Sequence, residues 1–184
     1  GLGLGIIIDG NLYYGKSGFS GEFGHFCMFE NEVLCHCGKK GCLETEASGS
    51  AFHRILMERY REGSNTILAG KLDSGEEISL GDLLEAVRKE DVLCIDILEK
   101  MGVNLGKGIA GLMNIFNPEL VILGGTLSLA GEYISLPVKS AIRKYSLNLV
   151  NQDTEIKISK LGERAGAFGA CLLSRSKLLG MTHY

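Results

Sequence analysis

Apolar and polar positions change period several times along this 184-residue chain. Ile6-Ile7-Ile8 and Leu12-Tyr13-Tyr14 are short apolar runs joined by Asp9-Gly10-Asn11. This predicts a β-hairpin, because an Asp-Gly turn takes the positive φ that suits the twist of paired strands. After Ser48, a good helix-capping residue, Phe52, Ile55, Leu56 and Tyr60 recur at helical spacing and predict a helix to about Arg61. Residues 62–78 are polar and Gly-containing and read as a loop or small excursion. Ser79 is expected to cap a short helix over 80–89. Asp91 should open a long one, with Leu98, Met101, Leu105, Ile109 and Leu112 at threes and fours until Pro118 stops it. That stripe is read as core in preference to a contact between copies. Val121-Ile122-Leu123 predicts a short buried strand landing on Gly124-Gly125. A helix around 131–147, a strand near 155–159 and a helix over about 166–179 complete an α/β layering.

Composition narrows the function. Hydrophobic residues make up 45% of the chain and charged residues 22%, as in a globular domain, and the net charge of −3 argues against a nucleic-acid surface within these residues. No apolar run approaches the roughly 18–20 residues that span a bilayer. The opening Gly1-Leu2-Gly3-Leu4-Gly5 lacks both a signal-peptide pattern and an initiator Met, so the chain reads as a piece of a longer protein.

The six cysteines fall at 27, 35, 37, 42, 94 and 171. Three crowd into residues 35–42, which suits a metal site in a reducing cytoplasm better than a disulfide framework. With His25 they form H-x9-C-x-C-x4-C, three thiolates and an imidazole, a closed donor set for tetrahedral zinc. Four protein ligands leave no position for an activated water, so the predicted metal is structural. Gly38 and Gly41 let the backbone turn tightly around it. His36, between two ligands, should point away to solvent. Cys27 is expected to be a buried or idle thiol, and Cys94 and Cys171 small core residues.

Gly21-Glu22-Phe23-Gly24-His25, followed by Cys35-His36-Cys37-Gly38-Lys39-Lys40-Gly41-Cys42-Leu43-Glu44, resembles the signature of the ROK family of bacterial sugar repressors, uncharacterised frames and sugar kinases. The likeness extends over essentially the whole chain, through Ile8-Asp9-Gly10, Asn117-Pro118-Glu119 and Val121-Ile122-Leu123-Gly124-Gly125. It implies an actin-like ATPase (ribonuclease H-like) α/β fold. Residues 1–184 would be the C-terminal lobe, with a zinc-binding and sugar-contacting region over 15–46. It also implies that Glu22, His25 and Glu44 contact sugar hydroxyls, with zinc fixing the His25 ring. Glu46 is read as a surface acid. Gly1, Gly3 and Gly5 match a phosphate loop, and Gly124 and Gly125 the part that lies against adenosine in kinase members. Family members are commonly dimers or tetramers, so a homo-oligomer is expected. A lobe on its own would expose part of the cleft, so the chain is expected to self-associate or be marginally stable.

The resemblance leaves two readings open. The catalytic Asp and first phosphate loop of a kinase belong to an N-terminal lobe outside these residues, so the chain alone is expected to be inactive. ATP and magnesium enter only if the parent is a kinase. Cys35-His36-Cys37-Gly38 running into Cys42-Leu43-Glu44-Thr45 and Ala47-Ser48 looks like the N-acetylglucosamine and xylose repressors. Leu4 is bulkier than the Gly or Ala associated with active kinases. The expected function is therefore the effector domain of a transcriptional regulator that binds a hexose or N-acetylhexosamine, with DNA contacted only through an N-terminal domain outside these residues. A sugar kinase is the alternative.

Overall fold

The computed structural model describes residues 1–180; positions 181–184, included in the expected lobe, lie outside the described residues. The predicted hairpin forms. β1 (Ile7–Ile8) pairs antiparallel with β2 (Asn11–Leu12), Ile7 opposite Leu12, around Asp9 and Gly10 at φ 51° and 78°. Two successive positive φ values are what an Asp-Gly hairpin turn requires.

Helices α1 (Glu44–Ala47) and α2 (Gly49–Arg61) follow the cysteine-rich region, with Ser48 Oγ accepting from the Ala51 amide as the α2 cap. The polar stretch 62–78, expected to be a loop or small excursion, contains a short helix, α3 (Ala69–Ser74), closed by Gly75 in the left-handed region. Its six residues are too few for apolar periodicity to show. α4 (Leu80–Arg88) begins with the capping box of Ser79 and Asp82. α5 (Val92–Phe116) is the central element. Asp91 caps it through the Cys94 amide, and Asn117 ends it at φ 41° ahead of Pro118. Leu98, Met101 and Ile109 on its stripe are buried, and Leu105 and Leu112 pack half-buried against the core, the role read from their spacing.

The parallel pair β3 (Leu120–Leu123) and β4 (Glu155–Ile158) is in register from Leu120 opposite Glu155 to Leu123 opposite Ile158. Between these strands run α6 (Glu132–Tyr145) and α7 (Asn148–Asp153), so the single helix expected around 131–147 continues after a break as a second. Val121-Ile122-Leu123 is expected to be buried. Only Val121 and Leu123 pack on the core, and Ile122 is 60% exposed. α8 (Ala165–Leu178) has no buried residue, and Cys171, expected in the core, is exposed.

Three glycines of α5 set the packing. A Cβ on Gly102 would stand 2.9 Å from Pro137 Cβ, and one on Gly106 2.7 Å from Ala141 Cβ, so α6 lies against bare backbone. A Cβ on Gly108 would stand 2.7 Å from Phe23 Cζ and 2.9 Å from Leu43 Cδ2. The absent methyl there seats the floor of the cysteine-rich region on α5.

Candidate metal centre

The cysteine-rich region is built on two close backbone crossings. Leu4 donates its amide to the Gly21 carbonyl at 3.0 Å, and Gly21 sits at φ 89° where a Cβ would collide with the Leu4 carbonyl oxygen. At Gly24 a Cβ would collide with the Leu2 carbonyl oxygen. Around Gly24 a single 3₁₀ turn, Phe23–His25, buries Phe23 and raises His25 at its end.

The chain then pairs with itself. Met28 donates to the Gly41 carbonyl at 2.8 Å and Leu43 to the Phe26 carbonyl at 2.9 Å, which sets Cys27 opposite Cys42. Further out, Cys35 donates its amide to the Lys39 carbonyl at 2.8 Å, and Gly38 donates to the Cys35 carbonyl at 2.9 Å. Gly38 and Gly41, at φ 84° and 78°, supply the left-handed residues this tight loop needs.

As a result one donor atom from each of His25, Cys35, Cys37 and Cys42 lies within 4.8 Å of all the others. Cys35 Sγ is 3.5 Å from His25 Nδ1, and Cys37 Sγ is 3.6 Å from Cys42 Sγ. A tetrahedron with zinc–sulfur bonds of about 2.3 Å and a zinc–nitrogen bond of about 2.0–2.1 Å has edges of about 3.6 and 3.8 Å. The donor set and its spacing therefore fit a closed four-coordinate metal site. Its electrostatics fit as well. The backbone N–H of Lys39 lowers the pKa of Cys37, whereas burial pushes Cys42 up to about 12. A metal ion would hold both as thiolates.

Beside this cluster, His25 Nε2 lies 3.7 Å from Glu22 Oε2. The two ring nitrogens thus face opposite ways, Nδ1 to the sulfurs and Nε2 to a 64% exposed carboxylate. Glu44 starts α1 two residues after Cys42. Its Oε2 accepts the Leu2 amide at 2.8 Å and lies 3.3 Å from the position of a Cβ on Gly24. His36 and Cys27 are exposed; the expected solvent-facing role of His36 agrees.

Glu46, read as a surface acid, is largely enclosed. It accepts from Asn31 at 2.8 Å and pairs with Arg54 at 3.4 Å. Arg54 also donates to the Thr45 carbonyl at 2.8 Å and pairs with Glu58, fastening α1 to α2. The i,i+4 spacing of Arg54 and Glu58 signals a helix-surface pair, but nothing in the sequence signals the reach back to Thr45 and Glu46.

The glycines expected at nucleotide divide into two groups. Leu2 and Leu4 turn partly into the core and their amides are engaged, while Gly1, Gly3 and Gly5 alternate with them on the exposed side. Gly124 and Gly125 follow β3, and the Gly125 carbonyl accepts from the amide and hydroxyl of Ser128. No hydrogen bond joins the two groups among the described residues. No helix among those residues is long and apolar enough to cross a membrane.

The model of the ROK family matches residues 1–177. A glucokinase of Halalkalibacterium halodurans is 35% identical over 170 residues, covering 92% of this chain and 52% of its own length. A xylose repressor of Caldicellulosiruptor bescii is 33% identical over 188 residues, covering 100% of this chain and 46% of its own. Among solved structures, a ROK family glucokinase from Streptomyces griseus, in complex with glucose and AMPPNP, superposes with a TM-score of 0.84. It is 32% identical and covers 96% of this chain and 58% of that one. The chain thus spans about half the length of the curated relatives it matches. A glucokinase and a ROK family transcriptional regulator of solved structure share its architecture, which is the α/β actin-like fold. With the family model extending over nearly every residue, the chain belongs to the ROK family.

Proposed function

We propose that residues 1–184 are the C-terminal lobe of a sugar-sensing ROK regulator, in which a structural zinc ion held by His25, Cys35, Cys37 and Cys42 orients a pocket for a hexose or N-acetylhexosamine. The observation that carries this reading is the division of the His25 ring between the sulfurs and Glu22. A metal on Nδ1 fixes the tautomer and leaves Nε2–H to donate to a sugar oxygen. Glu22 and the free oxygen of Glu44 accept from vicinal hydroxyls, and charge-assisted bonds of this kind discriminate one hydroxyl stereochemistry from another. Zinc shapes the pocket and takes no part in chemistry.

The regulator is preferred for the run Cys35-His36-Cys37-Gly38 with Cys42-Leu43-Glu44-Thr45, and for Leu4, whose amide and side chain are both committed to packing. Sugar would bias the geometry of a cytoplasmic homo-oligomer and so its hold on operator DNA, which is bound outside these residues. Apolar side chains such as Ile7 and Phe19, 71% and 77% exposed, support association with other surfaces. The second reading, half of an ATP-dependent glucokinase or N-acetylhexosamine kinase, draws on the glucokinase relatives and on the outward glycines at 3 and 5.

Thermal denaturation of the zinc-loaded chain against glucose, N-acetylglucosamine, xylose and mannitol tests the pocket. One sugar is expected to raise the melting temperature in a saturable way, and no stabilisation by any sugar would remove the reading. ADP release from the full-length parent with the stabilising sugar would replace the regulator by the kinase.

A further inference from the structure

Cys27 has no part in the four-donor cluster, yet it stands directly across the local strand pair from one of its members. The flanking bonds, Met28 to Gly41 and Leu43 to Phe26, make Cys27 and Cys42 a non-hydrogen-bonded antiparallel pair. Such pairs hold their Cα atoms about 4.5 Å apart, inside the roughly 4.4–6.8 Å that a disulfide spans. The Cys27 sulfur already leans over the opposite strand. It is 3.7 Å from the Lys40 carbonyl oxygen and 3.1 Å from the place a Cβ on Gly41 would take. Cys27 is exposed and Cys42 is buried, so oxidant reaches the first and not the second.

We propose that Cys27 is an oxidation site that couples peroxide to metal release, by forming a cross-strand disulfide with the ligand Cys42. The proposal rests on the zinc reading above. The Cys27 thiol attacks a peroxide oxygen, the O–O bond breaks, and Cys27 sulfenic acid and one water form. The Cys42 thiolate then attacks that sulfenyl sulfur. The S–S bond forms, the S–O bond breaks, and hydroxide leaves and takes up a proton as the second water. Two electrons pass from the two sulfurs to one peroxide. Cys42 is thereby removed from the donor set, leaving His25, Cys35 and Cys37, a three-donor site with weakened hold on its ion.

The test treats the zinc-loaded chain with hydrogen peroxide. Released zinc is followed with a chromophoric chelator, and disulfides are mapped by mass spectrometry after alkylation. The expected result is a Cys27–Cys42 linkage forming in step with zinc release. In Cys27→Ser and Cys27→Ala that linkage is lost and release slows about fivefold or more. Unchanged release in both variants, with bridges only among Cys35, Cys37 and Cys42, overturns the proposal. The same mapping on chelator-treated chain separates the two ideas. A Cys27–Cys42 bridge in protein that never binds stoichiometric zinc supports the pairing and defeats the metal reading. Stoichiometric zinc with no such bridge does the reverse.

Discussion

His25 Nε2 stands 3.7 Å from Glu22 Oε2, on the face of the ring turned away from the sulfurs. Because the two residues belong to one short turn, their contributions can be separated. Glu22→Gln keeps the metal donors and is expected to weaken sugar binding about tenfold or more while zinc content stays stoichiometric. His25→Ala removes a donor and the ring together, so zinc and sugar are expected to be lost in parallel. Metal analysis beside calorimetric sugar titration of both variants checks the distinction, and equal zinc loss in the two would contradict it.

Zinc uptake is expected to release protons. In the metal-free site burial pushes Cys42 up to about 12, so its thiol is protonated at neutral pH and must ionise to bind. Zinc affinity therefore falls as pH falls, and chelation is expected to lower the melting temperature by several degrees. Calorimetry in buffers of differing ionisation enthalpy reads the protons directly. A pH-independent affinity between 6 and 8 would count against a thiolate site.

Gly24→Ala places a methyl against the Leu2 carbonyl oxygen and within 3.3 Å of Glu44 Oε2. The expected cost is about 1–3 kcal/mol of stability, with displacement of residues 1–5 and weaker sugar binding. Denaturant unfolding together with sugar titration measures both effects.

Asp91 sits 5% exposed at the head of α5, where burial by itself would raise its pKa. The amides of Cys94 and Ile67 and the Thr66 hydroxyl outweigh burial and hold the carboxyl below its ordinary value. A depressed acid adds stability in full above its unfolded pKa of about 3.9, and that stability is lost as pH falls through the lower folded value. Asp91→Ala is expected to cost about 2–3 kcal/mol near neutral pH and to flatten the acid limb of the stability–pH curve. Urea melts from pH 2 to 7 follow both.

The donor set, the hairpin and α5 were legible because each writes itself in a short, periodic or chemically restricted code. Close cysteine spacing predicts that the sulfurs cluster, Asp-Gly names its turn, and a seven-turn apolar stripe is hard to mistake. The short helices α3 and α7 were not legible, since a few residues cannot establish a period and their neighbours fix them. Burial failed at Ile122 and Cys171 for a related reason: apolar composition predicts a face that wants cover, whereas cover depends on what lies opposite. At the site, Glu46 and Arg54 were missed because their pairing joins two elements whose angle no local pattern encodes.

Glu44 is fastened to the amide of Leu2, and Gly21 and Gly24 hold the backbone of residues 1–5 at van der Waals range. The first segment and the second acid consequently move as one lever. Any ligand that draws the Glu44 carboxylate toward itself also tugs on the start of the chain, and any force applied there alters how tightly the ligand is held, by the same free energy in both directions.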